Sequence, residues 1–312
     1  MEVVITGGAG FVGRNLIRVL YLNNFKMSNI TVLDINIKNV EYLKKYGVKT
    51  IIADLSVKGD WIDEFYNKDL VINLAAQLSS PKHELFYKNN VINTKNIIEA
   101  MLSANIQKII HFSSASVVSI WQDSYARTKA EGEILIKKSG LDYCILQPSI
   151  MYGPTDETNI GFLIEFAKKF PIFPIPGHGK WPRQPLYVDD VCNIIIQMMD
   201  IFPHKKVYSI NGSEVIFFKD MVKIVLEQIG GFKFRIFLPI KLFITFMMMY
   251  QQVKGKNEFT PDQVRALTTV EIFPMYSWWD EFHISPTSFQ EGVKKMLKFK
   301  EPLSRARLAH VR

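Results

Sequence analysis

A chain of 312 residues that is 48% hydrophobic can bury a large core, as one large domain or as two lobes. Its formal charge of +8 comes from Lys and Arg scattered along the chain, which argues against a nucleic-acid surface and fits a basic cleft for an anionic small substrate. The two cysteines, Cys144 and Cys192, lack metal-ligand spacing, so no metal is expected and a reducing, cytoplasmic setting is.

In chain order, short apolar runs rich in Ile and Val predict strands at residues 2–6, 30–34, 50–53, 70–75, 108–113 and 143–147. The first run leads straight into a glycine motif, so it reads as a structural strand and not as a signal peptide. Helical spacing fills the intervals, most clearly at 84–104 and 125–139. Near-continuous apolar strands alternating with helices predict a parallel sheet covered on both faces. The alternation loosens after Pro148, where Pro171, Pro174, Pro176, Pro182 and Pro185 break the chain into short pieces. The expected fold is α/β: a Rossmann-type doubly wound parallel sheet over residues 1–150, with a smaller C-terminal substrate-binding lobe over 151–312. Residues at about 185–212 are expected to return to the first domain.

The stretch TGGAGFVG spaces Gly7, Gly10 and Gly13 three residues apart between the first strand and the first helix. In a doubly wound sheet that turn presents backbone N–H groups and a helix N-terminus to a pyrophosphate. Gly7 permits the tight turn, Gly10 lets the phosphates approach, and Gly13 lets the helix pack on the strand, with Phe11 and Val12 at the helix start. The second strand ends in Asp34, where a carboxylate binds both hydroxyls of an adenosine ribose and repels a 2′-phosphate, so NAD is expected over NADP. Arg14 and Lys38 lie near in sequence, and Arg14 reads as an exposed helix residue. Asp54 and Leu55, past the third strand, are placed for the adenine ring, with a helix cap as the alternative for Asp54.

The second constellation is HFSSASVVSIWQDSYARTKAEGE, in which a strand ends in a serine cluster and a helix follows with Tyr125 and Lys129. A spacing of four puts both side chains on one helical face. A phenol titrates near pH 10, too high for a base at neutral pH. A lysine ammonium one turn away is expected to lower that value, so that the tyrosine can exchange a proton with a substrate hydroxyl or ketone. A serine at the end of the neighbouring strand can bond the same oxygen.

These motifs resemble the extended short-chain dehydrogenase/reductases of the NAD-dependent epimerase/dehydratase family, over nearly the full chain. The resemblance rests on TGGAGFVG, the strand-ending Asp34, NLAA at 73–76, NVINTKNIIEA at 90–100, SSASV, YARTK, QPSIMYGP and RQPLYVDDV. It implies Ser114 as the catalytic serine, with Ser113 as the other choice and a substrate contact, beside Tyr125 and Lys129. It implies that Leu74, Ala75 and Ala76 line the cofactor, that Asn90 helps hold cofactor and active site, and that Pro148 and Ile150 lie beside the nicotinamide. Arg183 matches a family arginine that grips a nucleotide diphosphate, for which a guanidinium fork is suited. Asn159, Lys180 and Arg265 are further candidates for substrate contacts, while Asp189 and Asp190 are expected to fix the local fold and cap a helix at 191–199. Three departures stand out. Asn73 occupies a position where members commonly have histidine, Val118-Ser119 one where many nucleotide-sugar epimerases have Tyr-Gly, and the gap from Ser114 to Tyr125 is short.

The expected function is NAD-dependent oxidation or reduction at a ring carbon of a nucleotide-activated sugar, C4 being frequent in the family, by an epimerase or a reductase. The alternatives are a reductase or dehydrogenase of a hydrophobic alcohol, a steroid-like ketone or a lipid-linked sugar, and a non-catalytic nucleotide-binding scaffold, to which a TPDQV-like stretch at 260–264 is common. A homodimer is expected. The apolar run at 236–250 is too short to span a bilayer and reads as a buried or subunit-facing helix, with an interfacial helix as the alternative. The adjacent Trp278-Trp279 pair fits either arrangement, and RARLAHVR reads as a tail.

Overall fold

Strand β1 (Val3–Thr6) leads through a glycine turn to α1 (Phe11–Leu22), then β2 (Ile30–Asp34), α2 (Ile37–Leu43), β3 (Lys49–Ile52) and β4 (Leu70–Asn73). α3 (His83–Phe86), a π-helical stretch at Tyr87–Ile92 and α4 (Asn93–Ser103) follow one another directly, before β5 (Lys108–Phe112), α5 (Ser124–Lys138) and β6 (Asp142–Pro148). Beyond them lie β7 (Met151–Tyr152), α6 (Ile160–Lys169), β8 (Ile172–Pro176), β9 (Pro182–Arg183), β10 (Leu186–Tyr187), α7 (Val188–Asp200), β11 (Lys206–Ile210), β12 (Ile216–Phe217), α8 (Phe218–Ile229), β13 (Phe234–Leu238) and α9 (Ile240–Lys254). Helical segments at Trp278–Glu281 and Phe289–Lys298 close the described chain. The computed structural model describes residues 1–254, 268–270 and 272–299.

Seven strands form one sheet in the order β11-β6-β5-β4-β1-β2-β3, every neighbouring pair parallel. Both faces are covered, which is why its strands read as unbroken apolar runs. Ile5, Leu16, Leu20, Val32, Ile110 and Ile194 are buried together on the side of α1 and α7. Val4, Leu33, Val71, Ile97, Ile109 and Ile136 are buried together on the side of α4 and α5. A separate cluster beyond β6 gathers Tyr152, Ile164, Phe166, Phe173, Val222 and Phe289. The strand order reverses between β1 and β4, and a crevice at the carboxyl ends of the strands around such a reversal is where open α/β sheets bind ligands.

The turn after β1 has no room for side chains at two positions. Gly7 has φ +67°, and a Cβ there would lie 2.5 Å from Ala75 N and Cα. At Gly13 a Cβ would run into the Gly8 backbone. Gly7 thus lets the loops after β1 and β4 touch, and Gly13 lets α1 approach its own turn.

Two expectations need correction. The apolar run at 236–250 is not one helix. Residues Phe234–Leu238 pair with β8 as a strand, Pro239 interrupts, and α9 begins at Ile240, because proline has no N–H for either pattern. Asp189 and Asp190 do not cap α7 either: the N-cap is Tyr187, and both carboxylates lie in the first turn. Asp189 pairs with Arg18 of α1, while Asp190 accepts from Thr287 N and Oγ1, each at 2.8 Å. Burial, opposed by the Thr287 bonds, pushes Asp190 up to about 6. Trp278 is fully buried, and its Nε1 donates to Asn211 O at 2.8 Å. The stretch at 260–264, Arg265 and the arginine-rich end lie outside the described residues.

Candidate active site

Helix α1 starts at Phe11 with Gly10 as its N-cap, which has no side chain to bond the helix end, and its first turn carries no acidic residue. The N–H groups of Phe11, Val12 and Gly13 therefore have neither an intrahelical nor a capping partner, as an anion site requires. A Cβ at Gly10 would meet Gly7 O at 3.2 Å and nothing else within 4 Å. That cradle lies at the carboxyl end of β1. Asp34 is half-buried beside it: Oδ2 accepts from Ala9 N and Oδ1 from Asn36 N, both at 2.9 Å. Each oxygen keeps a further lone pair, enough for two ribose hydroxyls. Leu74, Ala75 and Ala76 are half-buried where β4 ends, with Leu74 N donating to Thr6 O at 2.9 Å.

Arg14 is half-buried rather than exposed, and it turns away from Asp34, donating to Thr155 O at 3.1 Å and lying 3.6 Å from Glu157. It therefore supplies no cation for a 2′-phosphate at Asp34. Asp54 accepts from Ser56 N at 3.0 Å, from Ser56 Oγ at 2.5 Å and from Lys88 Nζ at 3.0 Å, so it caps a local turn, not a helix. Burial raises its carboxyl, but the Ser56 and Lys88 bonds together outweigh burial and hold it below its ordinary value. Leu55 is buried, and its carbonyl accepts from Asn96 Nδ2 at 2.9 Å.

Strand β5 and helix α5 bring together the second group. Ser114 caps a short 3-10 turn at Ala115–Val118, and its Oγ accepts from Ser116 N at 3.2 Å and Ser116 Oγ at 2.9 Å. With both acceptor positions taken, the Ser114 proton is available to the Tyr125 oxygen, and this hydroxyl opposes the upward shift of the phenol. Lys129, buried one turn along α5, donates from Nζ to the carbonyl of Phe112. The sequence pattern anticipated a phenol lowered by this lysine. Instead, burial pushes Tyr125 up to about 12, against the Ser114 bond and with a smaller contribution from Asp123. Burial also pulls Lys129 down to about 8, against the pull of Glu133. Desolvation dominates both groups because the ammonium is directed at a neutral carbonyl. At neutral pH the Tyr125 phenol is thus protonated.

A buried polar frame fixes this arrangement. Asn90, on the π-helical stretch, accepts from Gln77 N at 2.7 Å and donates to Thr128 Oγ1 at 2.9 Å, so it ties the loop after β4 to the residue before Lys129. Asn73, at the position where the family commonly carries histidine, bonds Thr6 Oγ1 at 2.9 Å and His111 Nδ1 at 3.1 Å. The neighbouring strand thus supplies an imidazole. Burial first, then Lys129 and Lys137, hold His111 well below its ordinary value, so it is neutral. Ser116, Thr128 and His111 are contributors that motif reading passes over; the closely spaced serines of SSAS were the one available signal.

The remaining candidates are more dispersed. Ser113 is buried, with its Oγ unpartnered among the described residues. Pro148 ends β6, and the loop behind it is pinned by Ser149 N to Ile210 O at 3.0 Å and by Leu186 N to Ile150 O at 2.9 Å. Arg183, on β9, is half-buried and donates to the carbonyls of Pro182 at 2.5 Å and Thr269 at 3.2 Å. Asn159 sits at the N-cap of α6 without capping it; its Nδ2 is 3.4 Å from Met151 O.

The family model of the NAD dependent epimerase/dehydratase family matches residues 3–211. The chain belongs to the NAD dependent epimerase/dehydratase family. Its cofactor is NAD, and the glycine cradle with Asp34 at its rim fits that dinucleotide. Among curated relatives, the 3beta-hydroxysteroid-dehydrogenase/decarboxylase isoform 1 of Arabidopsis thaliana is 27% identical, over 94% of this chain and 78% of its own. Among solved structures, the UDP-glucose 4-epimerase of Thermotoga maritima with UDP-glucose superposes with a TM-score of 0.75 at 19% identity, over 99% of this chain and 100% of its own. The UDP-glucuronic acid 4-epimerase of Bacillus cereus in complex with NAD gives 0.72 at 22% identity, over 95% of this chain and 97% of its own.

The cradle is testable apart from turnover. Gly10→Ala should leave the melting temperature within a few degrees of wild type, since the new methyl meets little of the protein. It should weaken NAD binding by about tenfold or more in calorimetry, because the methyl occupies the phosphates' approach. In the same titration NADP should bind more weakly than NAD; tighter NADP binding would contradict the role given to Asp34.

Proposed function

We propose that this protein is an NAD-dependent oxidoreductase or epimerase acting at a ring carbon, C4 in the favoured case, of a nucleotide-activated sugar. The observation that carries the reading is the grouping of Ser114, Tyr125 and Lys129 at the carboxyl end of β5, the same end of the parallel sheet as the glycine cradle after β1. In the reductive direction Tyr125 gives its proton to the oxygen of a substrate ketone, and Ser114 orients and stabilises that oxygen. In the oxidative direction the Tyr125 phenolate that this donation leaves takes the proton back, and the Lys129 ammonium favours that phenolate until it does. When bound, NAD accepts or returns the hydride. Arg183, with its guanidinium on the strand preceding the loop to Leu186, is the group for a diphosphate. Asn90 and Ser116 act as positioning residues through Thr128 and Ser114. The presence of Tyr125 and Lys129, both in bonded positions, speaks against a scaffold without activity.

Turnover of UDP- and dTDP-sugars, monitored through NADH absorbance and product analysis, tests the reading. A reductase consumes NADH in step with product, and an epimerase interconverts two sugars with no net change. A second reading, reduction of a hydrophobic ketone, draws support from exposed apolar residues in the loops that follow β4 and β5: Leu78, Val118 and Ile120. Turnover of long-chain or steroid-type ketones, with none of the sugars, would favour it.

A further inference from the structure

Helix α9 is apolar on two faces. Phe243 and Met247 turn inward and pack with Phe162, Leu238, Ile240 and Ile244. Leu242, Phe246 and Met249, spaced i, i+4 and i+7 and so on one stripe, are exposed, Leu242 by 58% and Met249 by 62%. Strand β13 continues this surface: it pairs with β8 alone in a two-stranded sheet, and Phe234 and Phe237 are exposed along it. Phe232, just before the strand, is 81% exposed. Among the described residues, packing accounts for one face of this segment and leaves the other exposed.

The charges say what would cover it. Between Gly230 and Asn257 the sequence holds Lys233, Arg235, Lys241, Lys254 and Lys256 and no acidic residue. A symmetric pairing of two copies through this face would bring the same cations together with no carboxylate of the segment to offset them. An anionic lipid surface complements both features: headgroup charge for Lys and Arg, and the acyl boundary for Phe, Leu and Met. No helix among the described residues is long and apolar enough to cross a membrane, so the arrangement is one of lying on the surface.

We propose that the β13–α9 face seats the protein on an anionic membrane surface, with the Leu242–Phe246–Met249 stripe and Phe232 in the interface and Lys241 and Arg235 against headgroups. This goes beyond the catalytic reading and does not depend on it, because none of these side chains belongs to the cofactor or Tyr125 sites.

Co-sedimentation of the full chain with vesicles of phosphatidylcholine plus phosphatidylglycerol, and of phosphatidylcholine alone, tests it. Wild type should bind the anionic vesicles about tenfold or more tightly than the neutral ones. Leu242→Glu/Met249→Glu should lose about tenfold or more on the anionic vesicles while keeping wild-type NAD affinity. Lys241→Glu, which alters no apolar contact, should lose several-fold on the anionic vesicles alone. If the paired variant fails to bind NAD, Lys241→Glu decides the matter by itself, and unchanged binding to anionic vesicles would overturn the proposal. Wild type remaining in the supernatant with both vesicles would overturn it too. So would a lipid-independent dimer that the paired substitution dissolves, which would assign the face to a second copy.

Discussion

Tyr125→Phe should cut turnover by about a hundredfold or more, the usual scale for losing a general acid/base. The ring stays, so packing on α5 is retained, and the lost hydroxyl removes at most an interaction with Ser114. That costs about 1 kcal/mol at most in stability, a shift of a few degrees in melting temperature. NAD affinity should be close to wild type, since the cradle at Gly7, Gly10 and Gly13 lies in the turn after β1 and the start of α1, away from α5. Loss of rate with binding and fold intact is the signature that separates a proton carrier from a structural tyrosine.

Lys129→Met should also reduce turnover by about a hundredfold or more, yet leave a more stable protein. The lysine is buried and held at about 8, below its ordinary 10.5. The sign follows from linkage: below about pH 8 both folded and unfolded lysines are charged, and the full cost of burying the ammonium is present. Between about 8 and 10.5 the unfolded chain alone is protonated to a growing extent as pH falls, so the cost disappears only above that range. The shift corresponds to about 3 kcal/mol, from which about 1 kcal/mol is offset by losing the bond to Phe112. Methionine retains most of the apolar stem. At pH 7 the variant should gain about 1–2 kcal/mol in chemical denaturation, with the gain shrinking as pH approaches 10.5. Equal or lower stability across that range would show that the ammonium is better accommodated than its burial implies. The double variant should be little slower than either single one, since each residue has its role through the other.

The sheet was legible in the sequence because its strands are buried on both faces, leaving unbroken Ile and Val runs at residues such as Val71, Ile72, Ile109 and Ile110. The glycine turn was equally legible: Gly7 and Gly13 stand where backbone contact forbids any side chain. The helix carrying Tyr125 and Lys129 was placed by its own periodicity, shifted by a single residue. What the pattern could not convey was electrostatics. Spacing puts Lys129 near Tyr125, but burial, with the ammonium turned to Phe112, decides which way each group shifts. Nor could it show that Arg14 swings toward Thr155 and Glu157, since that contact joins residues far apart in the chain. The run at 236–250 was misread for a local reason: Pro239 splits it, and pairing with β8 makes its first part a strand. Asp189 and Asp190 serve tertiary partners, Arg18 and Thr287, that no local capping rule anticipates.

The central claim, that Tyr125 exchanges the proton while hydride passes between NAD and a substrate ring carbon, is tested most directly by isotope transfer. NADH deuterated at the transferable position is incubated with wild type and with Tyr125→Phe, on the keto form of the nucleotide sugar that the screen identifies, and the recovered sugar is analysed by mass spectrometry. Wild type should place deuterium on one ring carbon, and Tyr125→Phe should do so about a hundredfold or more slowly at equal NADH occupancy. Transfer by Tyr125→Phe at the wild-type rate would contradict the account.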